Sequence, residues 1–146
     1  MLFSVCRRIQ LFLVLTFCGL AVASGETARP ANALVYIISP KDADTVRSPF
    51  KVLFGLSGMG VAPAGVDTPN TGHHHLLIDV NYVDEALDPN EPIPQDKNHL
   101  HFGAGQTEAL IELPAGKHTL QLVLGDSSHH LFRPPLLSDV ISVDVK

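Results

Sequence analysis

The chain has 146 residues, with ten basic and fifteen acidic side chains, a net charge of −5 with neutral histidine, and no basic run. That balance excludes a nucleic-acid partner on electrostatic grounds. The compositional anomaly is histidine: eight are present, and all lie beyond Gly72.

Met1 to Gln10 carry Arg7 and Arg8, and Leu11 to Ala23 follow as an apolar run without a charge. Ala21-Val22-Ala23 supplies small residues where a signal peptidase cuts, so residues 1–23 read as a signal peptide removed after Ala23. The run is short for a bilayer span. The expected product is periplasmic or secreted, with no stable membrane insertion after cleavage. Cys6 and Cys18 leave with the signal, which excludes disulfides and thiolate ligands from the mature chain. Arg7 and Arg8 leave too, so eight basic residues then face fifteen acidic ones.

Residues 24–33 form a short polar lead-in, and residues 34–146 suit one domain with one core. Leu34-Val35-Tyr36-Ile37-Ile38 is a continuous apolar run ending at Ser39-Pro40. Apolar residues then alternate along Phe50–Leu56, Leu76–Val80, Thr107–Leu113, Leu120–Leu124 and Ile141–Val145. Each segment reads as a half-buried strand. Pro114-Ala115-Gly116 reads as a tight connection of the hairpin kind. Pro and Gly interrupt every stretch long enough for a helical stripe. About six or seven short strands predict an all-β fold, an antiparallel β-sandwich of immunoglobulin-like type. The long segments Ser57–Gly72 and Asn81–Asn98 are loops, where function is usually carried in a small sandwich.

Strand alternation sorts the histidines by face. His74 shares the core side with Leu76 and Ile78, and His118 shares it with Leu120. Both read as core-edge histidines bonded to backbone carbonyls and facing one another. His73 and His75 share the outer, exposed side with Leu77 and Asp79. His99 and His101 form a second His-X-His pair. Such a pair places two side chains about 6–7 Å apart on one side of a strand, and two adjacent strands turn two pairs into a cluster. With His129 from the loop after Asp126, the candidate metal ligands are His73, His75, His99, His101 and His129. Asp79, Glu108 or Asp126 would stand behind them. Sulfur-free imidazole suits Cu(II) or Zn(II).

The alternative is a non-metal binding or structural module of the cell envelope, with a hydrogen-bonded or pH-responsive histidine patch. A metal-dependent hydrolase is a third reading, in which the long loops enclose a cleft beside the histidines. Other chemistry is poorly supported, and the chain reads more as a binding protein than as an enzyme. Ser127 and Ser128 lack a nucleophile elbow. Gly103-Ala104-Gly105 lacks the lysine and helix of a phosphate loop. The acidic run Asp84, Glu85, Asp88, Glu91 and Asp96 does not match calcium-loop spacing and reads as a solvated turn.

Gly72-His73-His74-His75-Leu76-Leu77-Ile78-Asp79 is followed by His101-Phe102-Gly103 and by Gly105-Gln106-Thr107-Glu108. His118-Thr119-Leu120-Gln121-Leu122 comes next, then Asp126, His129 and Pro135. In this order the motifs resemble the bacterial exported domain of unknown function 4399 family, over roughly Val35 to Val145. The resemblance implies a small exported domain without an assigned activity, and it supplies no ligand. His130 and Leu131-Phe132-Arg133 look particular to this chain.

Overall fold

The computed structural model describes residues 28–85 and 87–146. The expected signal peptide, its cleavage site and both cysteines lie outside the described residues.

The strands in chain order are β1 (Leu34–Ser39), β2 (Asp44–Val46), β3 (Phe50–Ser57), β4 (Gly60–Val61) and β5 (Thr71–Ile78). Then come one helical turn, α1 (Tyr82–Glu85), and β6 (His99–His101), β7 (Glu108–Ile111), β8 (Gly116–Gly125) and β9 (Ile141–Val145). Every alternating segment of the sequence is a strand. The first sheet is antiparallel, in the order β1-β3-β7. The second runs β2-β9-β8-β5, and the far edge of β5 is shared by β4, parallel, and β6, antiparallel. First, third and seventh strands in one sheet against fifth, eighth and ninth in the other reproduces the ABE and CFG partition of an immunoglobulin-like sandwich.

One turn departs from expectation. Pro114-Ala115-Gly116 makes no hairpin, because β7 pairs with β3 and β8 pairs with β5 and β9. The connection crosses between the sheets. β2, β4 and β6 have no alternating signature, being two or three residues long and lying at sheet edges.

The main core lies between the sheets. Val35, Val52 and Phe54 from the first meet Leu76, Ile78, Leu120, Leu122, Leu124 and Val143 from the second, all nearly or fully buried. A second apolar cluster covers the opposite face of the second sheet. There Leu77 and Val123 pack under Ile93 and Leu131, with Tyr82, Leu87 and Leu137 at the margin. The loops after β5 and β8 therefore form a third layer. They are tied down by two N–H groups, that of Ile93 donating to the His129 carbonyl at 2.8 Å and that of Tyr82 to the Gln121 side-chain Oε1 at 2.9 Å. Of the face assigned to solvent from sequence, His73, His75 and Leu77 are thus fully buried, and Asp79 alone stays exposed. Alternation correctly separates the two sides of β5, but it carries no information about a covering loop.

Candidate metal centre

β5 is buried on both sides from Gly72 to Ile78, and His73, His74 and His75 each have no exposed surface. Alternation sends His74 to the main core and His73 and His75 to the loop-covered face.

His74 packs its ring 5.2 Å from that of Phe54, and its Nδ1 lies 3.2 Å from the Gln106 carbonyl. A carbonyl only accepts, so Nδ1 carries the proton. Burial lowers the pKa of His74, and the ring is neutral. His118 is not its partner. In the β5–β8 ladder His74 stands opposite Leu124 and Ile78 opposite Leu120, which leaves His118 beyond the other end of β5. There His118 Nδ1 is 2.8 Å from Asp79 Oδ2 and its Nε2 is 3.0 Å from the Pro114 carbonyl. Two acceptors call for two donors, the protonated form. Burial works against that charge, but the Asp79 hydrogen bond, the Pro114 carbonyl and the Asp79 charge together raise the pKa. Asp79 reaches this place through a left-handed backbone, φ 60°, which breaks the strand pattern. It therefore serves His118 and does not back the cluster. Glu108 is also elsewhere, paired at 2.7 Å with Lys51.

On the loop-covered face four imidazoles meet. Pairing of His75 with His101 brings β6 alongside, and the loop after β8 delivers His129. Ring centroids lie 4.9 Å apart for His73–His75, 5.0 Å for His73–His101 and 5.0 Å for His75–His101. His129 adds 5.0 Å to His73, 4.8 Å to His101 and 6.1 Å to His75. His73, His75 and His101 can each offer a ring nitrogen with all three within 4.8 Å of one another. The Nε2 atoms of His73 and His75 are 3.1 Å apart. Two nitrogens on one tetrahedral ion stand about 3.3 Å apart, so this pair is already at ligand spacing.

His99 stands apart from the four. The register sets it opposite Leu77, while His101 is opposite His75. Its Nδ1 is 2.9 Å from Asp96 Oδ1, and that hydrogen bond holds the Asp96 carboxyl below its usual pKa. His130 is engaged through its backbone, its N–H donating to Asp126 Oδ1 and its carbonyl accepting from the Asp126 N–H.

His73, His75 and His101 are held neutral at physiological pH. Burial first, then charge on His101 and His129, lowers the pKa of His73 to about 4 against a smaller opposing effect of Asp126. Burial and the charges of His73 and His101 lower His75 to about 2. His101 is lowered by burial and by His129. Neutral imidazole is the form that ligates metal. The polar bookkeeping is unusual as well. His73 Nδ1, His75 Nδ1, His99 Nε2 and His101 Nε2 are buried without a hydrogen-bond partner, as is His74 Nε2. Native proteins satisfy nearly all such atoms; three of these five belong to clustered rings, and with His73 and His75 meeting through Nε2, His101 Nε2 is the one that points to a missing ligand partner.

Two glycines to which motif reading gave no part in the cluster make the space. A Cβ at Gly125, which pairs with His73 across the ladder, would sit 2.9 Å from His75 Nε2 and 3.2 Å from Ile93 Cδ1. A Cβ at Gly103 would collide with the His101 ring. The Gly125-Asp126 turn at the end of β8 and the Phe102-Gly103 step after β6 were the available signals.

Residues 52–146 match the family described as Domain of unknown function (DUF4399). The chain belongs to that family. The match spans β5, β6 and β8, and so contains all four clustered histidines of this DUF4399 domain together with both glycines. Among curated proteins, none matches the sequence. The chain is similar to the fibronectin(III)-like modules of Clostridium thermocellum CbhA, at 14% identity and a TM-score of 0.37. That similarity covers 77% of this chain and 45% of the other, so the domain spans less than half that chain's length.

Proposed function

We propose that this DUF4399 domain is an exported module that binds one divalent transition-metal ion, Cu(II) or Zn(II), through His73, His75 and His101. The observation that carries the reading is the convergence of three neutral imidazoles, with one nitrogen from each lying within 4.8 Å of the others. Two of these side chains come from a strand with no exposed surface, and the third from its ladder neighbour. A ligand set held on strands is pre-organised, so little ordering entropy opposes capture of an ion. Export is supported by the order of charged, apolar and small residues in the first 23 positions.

The short Nε2–Nε2 contact between His73 and His75 favours the second reading, a metal-free hydrogen-bonded patch. That reading leaves His101 Nε2 buried without a partner, a nitrogen that a bound ion would engage. The test is uptake by protein purified without an affinity tag and stripped with chelator. Equilibrium dialysis against zinc or copper at pH 7.5 should give one ion per chain, lost in His73→Gln and in His101→Gln. Equal uptake by the wild type and both variants, or none by the wild type, refutes the proposal.

A further inference from the structure

The four rings have a shape, and the shape names the kind of ion. Five of the six centroid separations fall between 4.8 and 5.0 Å, and the sixth is 6.1 Å. A ring nitrogen lies about 1.2 Å from its own ring centre, so a ring ligating at about 2.0 Å has its centroid about 3.2 Å from the ion. Four such rings in a tetrahedron have six equal separations of about 5.2 Å. In a square plane they have four of about 4.5 Å and two diagonals of about 6.4 Å, the arrangement Cu(II) favours. The observed set has one long separation and no second diagonal. The four centroids make a slightly opened tetrahedron, and the opening is at His129, whose ring stands outside the group of three with nitrogens within 4.8 Å of one another.

We propose, resting on the metal-binding reading above, that His129 is the fourth ligand, closing a tetrahedral four-histidine site built for a d10 ion of the Zn(II) type. Three ligands are fixed by strands and the fourth by a pinned turn. Asp126 Oδ1 accepts the N–H groups of Ser128 and His130, each at 2.9 Å. The His129 N–H donates to the Asp126 carbonyl at 3.0 Å, and its own carbonyl accepts from Ile93 at 2.8 Å. Within these bonds His129 holds a left-handed backbone, φ 69°, a conformation that non-glycine residues keep only when the surroundings impose it. The turn thereby aims the ring into the cluster. Four protein ligands leave no open position for water or substrate, so the site stores, senses or structures with its ion and does not hydrolyse.

Cobalt(II) reports coordination directly, because four-coordinate Co(II) absorbs visible light strongly and six-coordinate Co(II) weakly. The full chelator-stripped domain is titrated with Co(II) and then displaced with Zn(II). Intense ligand-field bands at one equivalent, erased by one equivalent of Zn(II), are expected. His129→Ala should weaken Zn(II) affinity by more than the roughly 10–100-fold that loss of an outer-shell group costs, and water should enter the vacated position. His130→Ala should leave the spectrum and the affinity as they are. Weak six-coordinate bands in the wild type, or His129→Ala with unaltered bands and affinity, overturn the closed site while leaving three-histidine binding standing. No Co(II) or Zn(II) uptake at all overturns both.

Discussion

Acidification of the metal-free domain is the sharpest test of whether the buried rings are held neutral. An unfolded histidine titrates near 6.5, whereas His73 in the fold is lowered to about 4 and His75 to about 2. Between those values the unfolded chain binds protons that the folded chain refuses, so stability falls as pH falls. The slope for each residue is about 1.4 kcal/mol per pH unit. At pH 5, about 1.5 units below the unfolded value, His73 and His75 should each cost about 2 kcal/mol relative to neutral pH. Below its folded value of about 4 the His73 contribution levels off, while that of His75 continues.

His118 works in the opposite sense. Its folded pKa is raised, so its stabilisation is complete below 6.5 and is lost as pH rises through the folded value. The clean measurement is therefore made in a His118→Gln background, by urea unfolding at steps from pH 7.5 to 5. The expected loss of about 4 kcal/mol from His73 and His75, to which the lowered pKa values of His74 and His101 add in the same sense, is a large share of the 5–15 kcal/mol available to a domain of this size. His75→Gln should remove about 2 kcal/mol of the loss at pH 5. A stability constant across that range in the His118→Gln protein would show that the rings are solvated and that the buried, neutral cluster is wrong.

Gly125→Ala places a methyl group against His75 and Ile93; a loss of about 1–3 kcal/mol in thermal melts and a drop in zinc uptake by dialysis are expected. His74→Ala removes a fully buried ring from Phe54 and a bond to the Gln106 carbonyl, and should cost about 2–3 kcal/mol in denaturant melts while leaving the four clustered rings able to bind. Mass spectrometry of the exported protein should find an N-terminus at or near Ser24; a chain beginning at Met1 in the membrane fraction would refute cleavage.

The strands were legible because each of their inner residues meets the other sheet, and that contact imposes a period of two on the sequence. Val52 and Phe54 in β3, or Leu120, Leu122 and Leu124 in β8, carry the pattern because they form the main core. The covering layer has no such trace. Ile93 stands alone between two prolines and Leu131 sits beside Phe132 in a stretch without alternation, and only the folded chain shows them meeting over Leu77 and Val123. The two His-X-His spacings fixed a shared face but not a shared place. Which member of the second pair joins the first depends on ladder register, and register selects His101 and sets His99 beside Leu77. Asp79 was misplaced for a related reason, since its left-handed backbone ends the alternation on which its assignment rested.

That covering layer also explains why a binding cluster lies on what is usually the wet face of a sandwich sheet. Exposed, the rings of His73 and His75 would be partly protonated near neutral pH and each nitrogen would bond water. Ile93, Leu131 and the His129 turn remove that water, which deprotonates the rings and orphans their nitrogens in one step. Each buried, unpaired nitrogen costs about 1–3 kcal/mol. The metal-free fold therefore carries a penalty concentrated in one place, and an ion that engages His101 Nε2 relieves part of it. Binding to the folded state alone stabilises by RT ln(1 + [L]/Kd), about 2.7 kcal/mol at a hundredfold excess over Kd. Acid destabilisation and metal stabilisation are thus two readings of the same local defect, and a variant that abolishes one without weakening the other would break the connection.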